Sequence, residues 1–372
     1  MKKVLLTATV QSHICQFHKP LAKMLQEHGY EVHVAARNNL AEKNGLEMEY
    51  VDRIYDVSFE RFPFSLKNLA AYREIKRILK ENKYDVIHTN TPVASVVTRI
   101  AARKYRKTGT KVFYTAHGFH FHDGAPIKNW LLYYPVEKLM SYWTDTLITI
   151  NREDFKRAKE NFKAKQIEYM PGVGVDLSKF DFEFSDEQKA KKRTEIGVPK
   201  DAFLMMSVGE LNRNKNHEVI IRALKRLNNP DVHYCIAGNG PLKDHLIHIA
   251  NELGVGRQVH LLGYRRDVPE LYKSADVCCF PSIREGLGLA ALEAMASGIV
   301  VLAADNRGTR DYVLDGENGF RCQDSDEACF AEKMKTLMDS PVLRHELGCK
   351  AMKKAEEFSN DGATAVLKKL YQ

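Results

Sequence analysis

Apolar and polar positions fall in blocks along this chain, and the blocks change period from one to the next. Residues 4–10 form an apolar run of strand length, and 17–28 carry a helical spacing that Gly29 ends. A short run at 32–36 predicts a second strand. Residues 68–82 place Leu69, Tyr72, Ile75, Ile78 and Leu79 on one helix face. Strand 84–88, helix 93–105, strand 112–116, helix 125–140 and strand 146–150 follow in turn. Strands that alternate with helices predict a parallel sheet covered on both faces. At 170–176 the pattern pauses in M-P-G-V-G-V-D, and a charged stretch at 181–193 follows, which marks a domain junction. The alternation then repeats, with strands at 203–208, 233–237, 259–262, 277–281 and 300–304 and a last helix at 363–371. Two α/β domains are expected, 1–175 and 176–358, followed by a terminal helical segment, 359–372. Neither a solenoid repeat nor a low-complexity tract is visible.

A length of 372 residues suits two domains rather than one. No apolar stretch reaches the 18 or so residues of a membrane span. The N-terminal MKKVLLTATV has lysines ahead of an apolar run, but Gln11-Ser12-His13 closes it without a cleavage pattern, so a first buried strand is the reading rather than a signal peptide. Seven cysteines, at 15, 235, 278, 279, 322, 329 and 349, are scattered and include no C-x2-C. They read as free thiols of a reducing cytoplasm, not disulfides or zinc ligands. The net charge of +8 is unevenly placed: residues 1–178 carry 28 Lys+Arg against 19 Asp+Glu, and the remainder 28 against 29. The first half is therefore expected to meet something anionic.

One stretch organises the rest. Residues 284–298 read REGLGLAALEAMASG. Gly286 and Gly288 suit a loop, and from Leu289 the apolar positions Leu292, Met295 and Ala296 take helical spacing. A glycine loop thus feeds a helix N-terminus, where unpaired N–H groups and the macrodipole favour phosphate, with Leu287 between the glycines. Glu285 precedes the loop and Glu293 lies about a turn into the helix, so two carboxylates bracket the same mouth. A carboxylate repels phosphate but accepts hydrogen bonds from sugar hydroxyls, and the pair suits a sugar joined to a phosphate. Predicted strands on either side make this a βαβ unit with its ligand edge at the strand's carboxyl end.

With its E-x7-E spacing this segment resembles the retaining glycosyltransferases of family 4, of the GT-B fold. That resemblance implies an α/β architecture of two Rossmann-like domains facing across a cleft, with the terminal helix crossing back to the first domain. It implies a donor, here a UDP-sugar, held mainly by the second domain, and retention of anomeric configuration without a metal or other cofactor. Lys215, in V-G-E-L-N-R-N-K-N-H after a predicted strand, matches the family's phosphate-binding lysine. Glu210 stands where the family commonly has arginine, and Arg213 is placed to restore the charge. Gly238, Asn239 and Gly240 follow another strand end and are assigned to the donor, since the glycines let backbone approach a ligand, though a plain turn explains them almost as well. Tyr264 and Arg265 follow the next strand end, which in the family reads the nucleotide base, and Arg307 follows a further one. By resemblance Glu293 holds the ribose hydroxyls, Glu285 the sugar hydroxyls, and His117, leaving a strand in T-A-H-G-F-H-F-H-D, hydrogen-bonds the donor sugar. His120, His122 and Asp123 have the alternation of metal ligands, but no second ligand group accompanies them, and no metal site is expected.

The segment HGFHFHDGAPIKNWLLYYPVEKLMSYWTD is similar to a subgroup that builds exopolysaccharide and capsule on polyprenyl-diphosphate lipids. Its aromatics Trp130, Tyr133, Tyr134, Tyr142 and Trp143 read mainly as core. Arg99, Arg103, Lys104, Arg106 and Lys107 form an acid-free basic run, and Phe59–Phe64 an aromatic one. Together they predict the acceptor side and peripheral contact with the anionic inner face of the cell membrane from the cytoplasm. Nucleic acid is not an expected partner, since base-stacking and groove-reading motifs are missing. The reading is a hexosyltransferase acting on a lipid-linked saccharide. A sugar-nucleotide epimerase of the same architecture and a non-catalytic nucleotide-sugar-binding subunit are the alternatives.

Overall fold

A computed structural model describes residues 1–42 and 45–372. The chain forms two compact units, Met1–Gly174 with Asn360–Gln372, and Val175–Ser359.

The first unit contains β1 (Lys2–Val10), α1 (Gln11–Phe17), α2 (Lys19–Glu27), β2 (Tyr30–Arg37), β3 (Arg53–Asp56), α3 (Lys67–Glu81), β4 (Val86–Asn90), α4 (Pro92–Ala102), β5 (Lys111–Ala116), α5 (Ile127–Ser141), β6 (Thr146–Thr149), α6 (Arg152–Asn161) and β7 (Gln166–Tyr169). Its seven strands lie in the order β3-β2-β1-β4-β5-β6-β7, all parallel. The core face of α3 buries Ile75, Ile78 and Leu79 with Leu5 of β1 and Ile87 of β4. Each such side chain contributes about 1.5–3 kcal/mol by leaving water.

The second unit contains α7 (Asp186–Glu195), β8 (Phe203–Val208), α8 (His217–Leu227), β9 (Val232–Ala237), α9 (Lys243–Glu252), β10 (Val259–Gly263), α10 (Val268–Ser274), β11 (Val277–Phe280), α11 (Leu289–Ala296), β12 (Val300–Ala304), β13 (Gly319–Cys322), α12 (Glu327–Asp339) and α13 (Pro341–Ala355). Its six strands run parallel in the order β10-β9-β8-β11-β12-β13. The order reverses direction between β8 and β11, and loops leaving these two strands are where an open α/β sheet binds its ligands. The last helix, α14 (Asn360–Tyr371), rejoins the first unit. There the Tyr30 hydroxyl donates to the Tyr371 carbonyl at 2.9 Å, and Tyr371 Oη lies 2.7 Å from His88 Nδ1.

The sequence pattern departs from this structure in physically readable ways. The strands β3, β7 and β13 lie at sheet edges, and their sequences RIYD, QIEY and GFRC lack a buried apolar run. The helix predicted at 17–28 is broken at His18, and its N-terminal part starts where β1 ends. The charged stretch at 181–193 is partly helix α7, opened by a capping box between Ser185 and Gln188. That helix is anchored by Arg193, which is buried and donates to the Ser274, Lys200 and Ala202 carbonyls and to Asp276. The expectation that every cysteine is a free thiol is corrected at Cys322 and Cys329, which form a disulfide. The chain doubles back from the end of β13 into the first turn of α12 and brings their Cα atoms to 5.8 Å, inside bridging range. Among the described residues no helix is long and apolar enough to cross a membrane.

Candidate active site

In the second unit, the loops leaving β8, β9 and β10 are joined through backbone hydrogen bonds. The Gly209 amide donates to the Ala237 carbonyl at 3.0 Å, the Leu211 amide to Asn239 at 3.0 Å, and the Gly238 amide to Gly263 at 2.7 Å. The glycines here serve that contact. A Cβ on Gly238 would stand 1.9 Å from the Gly209 carbonyl oxygen, and one on Gly240 would stand 2.4 Å from that of Leu211. The β8 loop is tied in turn to the loop after β11: the Ile283 amide donates to the Asn214 carbonyl at 2.8 Å, and the Asn214 side-chain amide donates to the Arg284 carbonyl at 2.9 Å. The sequence segments 209–215, 238–240, 263–265 and 283–289 therefore meet at the carboxyl edge of one sheet.

At their centre Lys215 Nζ donates to Glu285 Oε1 at 2.7 Å, and the ammonium also lies 5.2 Å from the Phe280 ring centroid. Behind them the loop carrying Glu285 is held from below. Arg307 Nε donates to the Glu285 carbonyl at 3.3 Å, Asn306 to the Ser282 carbonyl at 2.7 Å, and the Tyr312 hydroxyl to the Leu287 carbonyl at 2.9 Å. Leu287 is buried, which leaves Gly286 and Gly288 as the backbone on either side of an anchor. Gly288 is the N-cap of α11 with φ +99°, and no side chain caps the helix. A Cβ there would stand 2.7 Å from Phe280 Cζ and 2.9 Å from Tyr312 Oη, so glycine is required by backbone conformation and by packing together. The Ala291 amide donates to the Gly288 carbonyl at 3.2 Å, and among the described residues no side chain caps the Leu289 and Ala290 amides at the edge where Lys215 sits.

Glu293, in the middle of α11, is half-buried, and burial pushes its carboxyl pKa up, with Lys179 pulling the other way. Glu210 and Arg213 are exposed. Glu210 accepts from the Asn212 side-chain amide at 2.9 Å, whereas Arg213 has no hydrogen bond or ion pair among the described residues. Tyr264 is exposed. Arg265 is engaged by Asp267 at 2.8 Å and Glu195 at 2.6 Å, and those two carboxylates also hold Lys192.

In the first unit His117 follows β5 and does not stand alone. Its Nε2 lies 3.3 Å from His13 Nε2, 3.2 Å from His18 Nε2 and 3.4 Å from Asn90 Oδ1. Burial lowers the His117 pKa well below the ordinary value, helped by His13 and His88, and holds His13 at about 4, with Arg61 adding to the effect. His13 and His18 were not legible as site residues, because their only signal is an H-x4-H at the end of a strand. His120 stacks on Tyr133, and His122 Nδ1 lies 2.8 Å from the Asp123 carbonyl oxygen, so these two histidines do not join the cluster.

The basic run divides. Arg99 is corrected as a surface contact: it is 1% exposed, donates to Glu137 at 2.7 Å and lies 4.2 Å from the Tyr114 ring centroid. Its helical position faces α5 rather than solvent, and the guanidinium is neutralised inside the unit. Arg106 binds Asp145 through two nitrogens at 2.8 and 2.9 Å and donates to the Tyr142 carbonyl. Arg103, Lys104 and Lys107 remain exposed. Of the aromatic run, Phe59 is buried, while Phe62 and Phe64 are exposed. Exposed Ile127, Leu131 and Leu139 extend the apolar surface along α5, whereas Trp130, Tyr133 and Tyr134 pack against Phe119, Phe121 and Phe162. Between Phe64, Val93, Val97, Leu132 and Val136 runs an apolar groove of about 190 Å³.

Comparison with known proteins adds to this geometry. Residues 188–354 match the family described as glycosyl transferases group 1, and residues 3–151 match the family described as glycosyl transferase 4-like. The chain is 42% identical over 361 residues to the Bacillus subtilis (strain 168) protein named "Putative glycosyltransferase EpsD", covering 96% of this chain and 93% of that one. It is 29% identical over 320 residues to the Escherichia coli UDP-Gal:alpha-D-GlcNAc-diphosphoundecaprenol alpha-1,3-galactosyltransferase, covering 82% and 81% of the two chains. Among solved structures, Anabaena Alr3699/HepE in complex with UDP superposes with a TM-score of 0.81 at 22% identity over the full length of both chains.

Proposed function

The chain belongs to the group 1 glycosyltransferases, with the GT-B fold of its structural relatives, and from that premise we propose that it is a retaining hexosyltransferase of exopolysaccharide or capsule synthesis. The donor is a UDP-linked hexose or N-acetylhexosamine, and the acceptor is a saccharide carried on a polyprenyl diphosphate. The observation that carries this reading is the Lys215–Glu285 pair beside the N-terminus of α11, which no side chain caps: a cation and a helix start for a diphosphate, next to a carboxylate for a sugar. The relatives support the finer points, since one is a galactosyltransferase that uses UDP-galactose with a diphosphoundecaprenol acceptor and another is solved in complex with UDP.

Departure of the nucleotide leaves negative charge on its diphosphate. Lys215, Arg213 and the amides from Gly288 into α11 stabilise that charge where it develops, which is the largest single contribution such a site makes. Fixed donors of this kind do the work without a metal. Glu285 accepts from the sugar hydroxyls, and Glu293 accepts from the ribose. Tyr264 lies by the base, and His117 hydrogen-bonds the sugar. Exposed Arg103, Lys104 and Lys107, together with Phe62, Phe64 and the outer side of α5, suit a peripheral site on an anionic bilayer. The apolar groove lined by Phe64 and Leu132 suits part of a lipid tail.

The test combines binding and turnover. UDP-, GDP- and ADP-sugars are screened for thermal stabilisation, since a ligand of the folded state raises the melting temperature by mass action. The stabilising donor is then incubated with a polyprenyl-diphosphate monosaccharide in EDTA, and the product anomer is read by NMR. Stabilisation by a UDP-sugar and a retained-anomer product are expected. Conversion of the donor without acceptor, or strict dependence on added metal, would overturn the proposal.

A further inference from the structure

The cluster around His117 has more ligand atoms than hydrogen bonding can use. An imidazole Nε2 offers one in-plane site, either a proton or a lone pair. His117 Nε2 faces His13 Nε2 at 3.3 Å, His18 Nε2 at 3.2 Å and Asn90 Oδ1 at 3.4 Å. One proton cannot serve three neighbours, and three inward lone pairs repel one another. A cation at the centre resolves both problems, because it accepts a lone pair from each ring.

The spacing fits a particular class of ion. Zinc binds imidazole nitrogen at about 2.0–2.1 Å in tetrahedral sites, which sets two nitrogens on one ion about 3.3–3.4 Å apart. The separations of 3.2 and 3.3 Å match that distance, and all three nitrogens lie within 4.8 Å of one another. Among the described residues this is the one group of three or more histidine, cysteine or carboxylate side chains so arranged. The cluster is also reachable. His13 is half-buried, its Nε2 already faces His117, and it borders a cavity of about 290 Å³ shared with Thr9, Arg61 and Thr91, from which an ion meets the cluster at His13. Imidazole-only sites favour zinc, copper and nickel over magnesium or calcium.

We propose that His13, His18 and His117 form a binding site for a soft divalent transition metal, zinc first, with Asn90 Oδ1 or water as a fourth donor. This does not make transfer metal-dependent. Where it rests on the function proposed above, the consequence is inhibition: an ion holding His117 Nε2 removes the atom assigned to the donor sugar.

Binding is tested without substrate. Apoprotein freed of metal is titrated with Zn²⁺ against a chromophoric chelator, and the zinc-loaded protein is measured by X-ray absorption. One zinc per chain is expected, with nitrogen ligands at about 2.0–2.1 Å and no sulfur. His13→Gln and His18→Gln each remove a ligand. They should weaken binding by more than the roughly 10–100-fold that follows loss of an outer-shell partner. Exposed Cys349, whose Sγ lies 3.6 Å from His345 Nε2, is the competing surface site, and Cys349→Ser should leave the affinity unchanged. No binding, sulfur in the coordination shell, or loss of zinc with Cys349→Ser would overturn the proposal. Zinc affinity unchanged in a folded His13→Gln or His18→Gln would also overturn it, and should one of the two fail to fold, the other still removes a ligand. Zinc inhibition of transfer, relieved in His13→Gln, is a separate arm whose failure leaves the binding result standing and returns doubt to the role given to His117.

Discussion

Glu285→Gln should move nucleotide binding and sugar transfer in opposite directions. Lys215 donates to the Glu285 carboxylate at 2.7 Å, and the two side chains are 22% and 16% exposed. A diphosphate that docks on Lys215 must take the ammonium from that carboxylate. Exposed ion pairs contribute about 0.2–1 kcal/mol, and removing one partner of a fully buried pair costs about 3–5 kcal/mol. A pair buried to this degree falls between them, at about 1–2 kcal/mol after screening. Glutamine keeps the shape and one acceptor oxygen but removes the charge, so UDP affinity should rise about 5–30-fold. Turnover should move the other way. A sugar hydroxyl that loses a charged acceptor forfeits about 1.5–3 kcal/mol, or about 10–150-fold in rate if the bond tightens in the transition state. Isothermal titration with UDP and initial rates with a lipid-linked acceptor measure the two, and thermal unfolding confirms that the variant is folded. Weaker or unchanged UDP binding would refute the competition between carboxylate and diphosphate for Lys215, and wild-type turnover would remove Glu285 from the chemistry.

Gly288→Ala combines a left-handed backbone with a Cβ placed within 3 Å of Phe280 and Tyr312, and urea unfolding should show a loss of about 2–4 kcal/mol; a loss below about 1 kcal/mol would contradict the packing argument. Neutralising Arg103, Lys104 and Lys107 together should weaken sedimentation with anionic liposomes by about 1 kcal/mol per charge at unchanged stability, and unaltered sedimentation would refute membrane contact through this face. Arg99→Met should instead destabilise the fold by about 3–5 kcal/mol, because it strands the buried Glu137 carboxylate. Burial, with the Lys215 charge second, lowers the His217 pKa from 6.5 to about 4, so the unfolded chain protonates first and stability falls as pH drops from 6.5 towards 4, by about 3 kcal/mol in all. Other buried histidines titrate over the same range, so His217→Asn should lessen, not abolish, the loss of stability between pH 6.5 and 4 in urea unfolding, and an unchanged profile would contradict the assignment.

The parallel sheets were legible because both faces of their inner strands are buried. Val4–Leu6 and Val300–Ala304 read as unbroken apolar runs for that reason. The edge strands were not legible, since a strand such as RIYD, with one side to solvent, carries no periodic signal against a polar background. The terminal helix was visible in its spacing, but the polar pair that seats it, Tyr371 against His88 and Tyr30, lies some 280 and 340 residues away in sequence, and periodicity does not reach that far.

The site was legible to the extent that it is local. The glycine loop, Glu285 and the start of α11 fall in one short stretch, so spacing alone brought them together. Lys215 was singled out by its place after a strand end and by the family resemblance, but its ion pair with Glu285 spans 70 residues and only the fold creates it. The glycines taught a different lesson. Gly238 and Gly240 suggested backbone opened to a ligand, but a Cβ on either would strike the neighbouring β8 loop, so they let two loops close on one another. That closure lets the Leu211 amide pair with the Asn239 carbonyl and braces the segment that carries Lys215. Arg99 failed as a surface residue for the converse reason. Charge counted along a sequence says nothing of which face a helix turns inward, and one arginine of an acid-free run found its acid 38 residues on. The same blindness hid His13 and His18, whose significance depends entirely on a third ring brought in by β5.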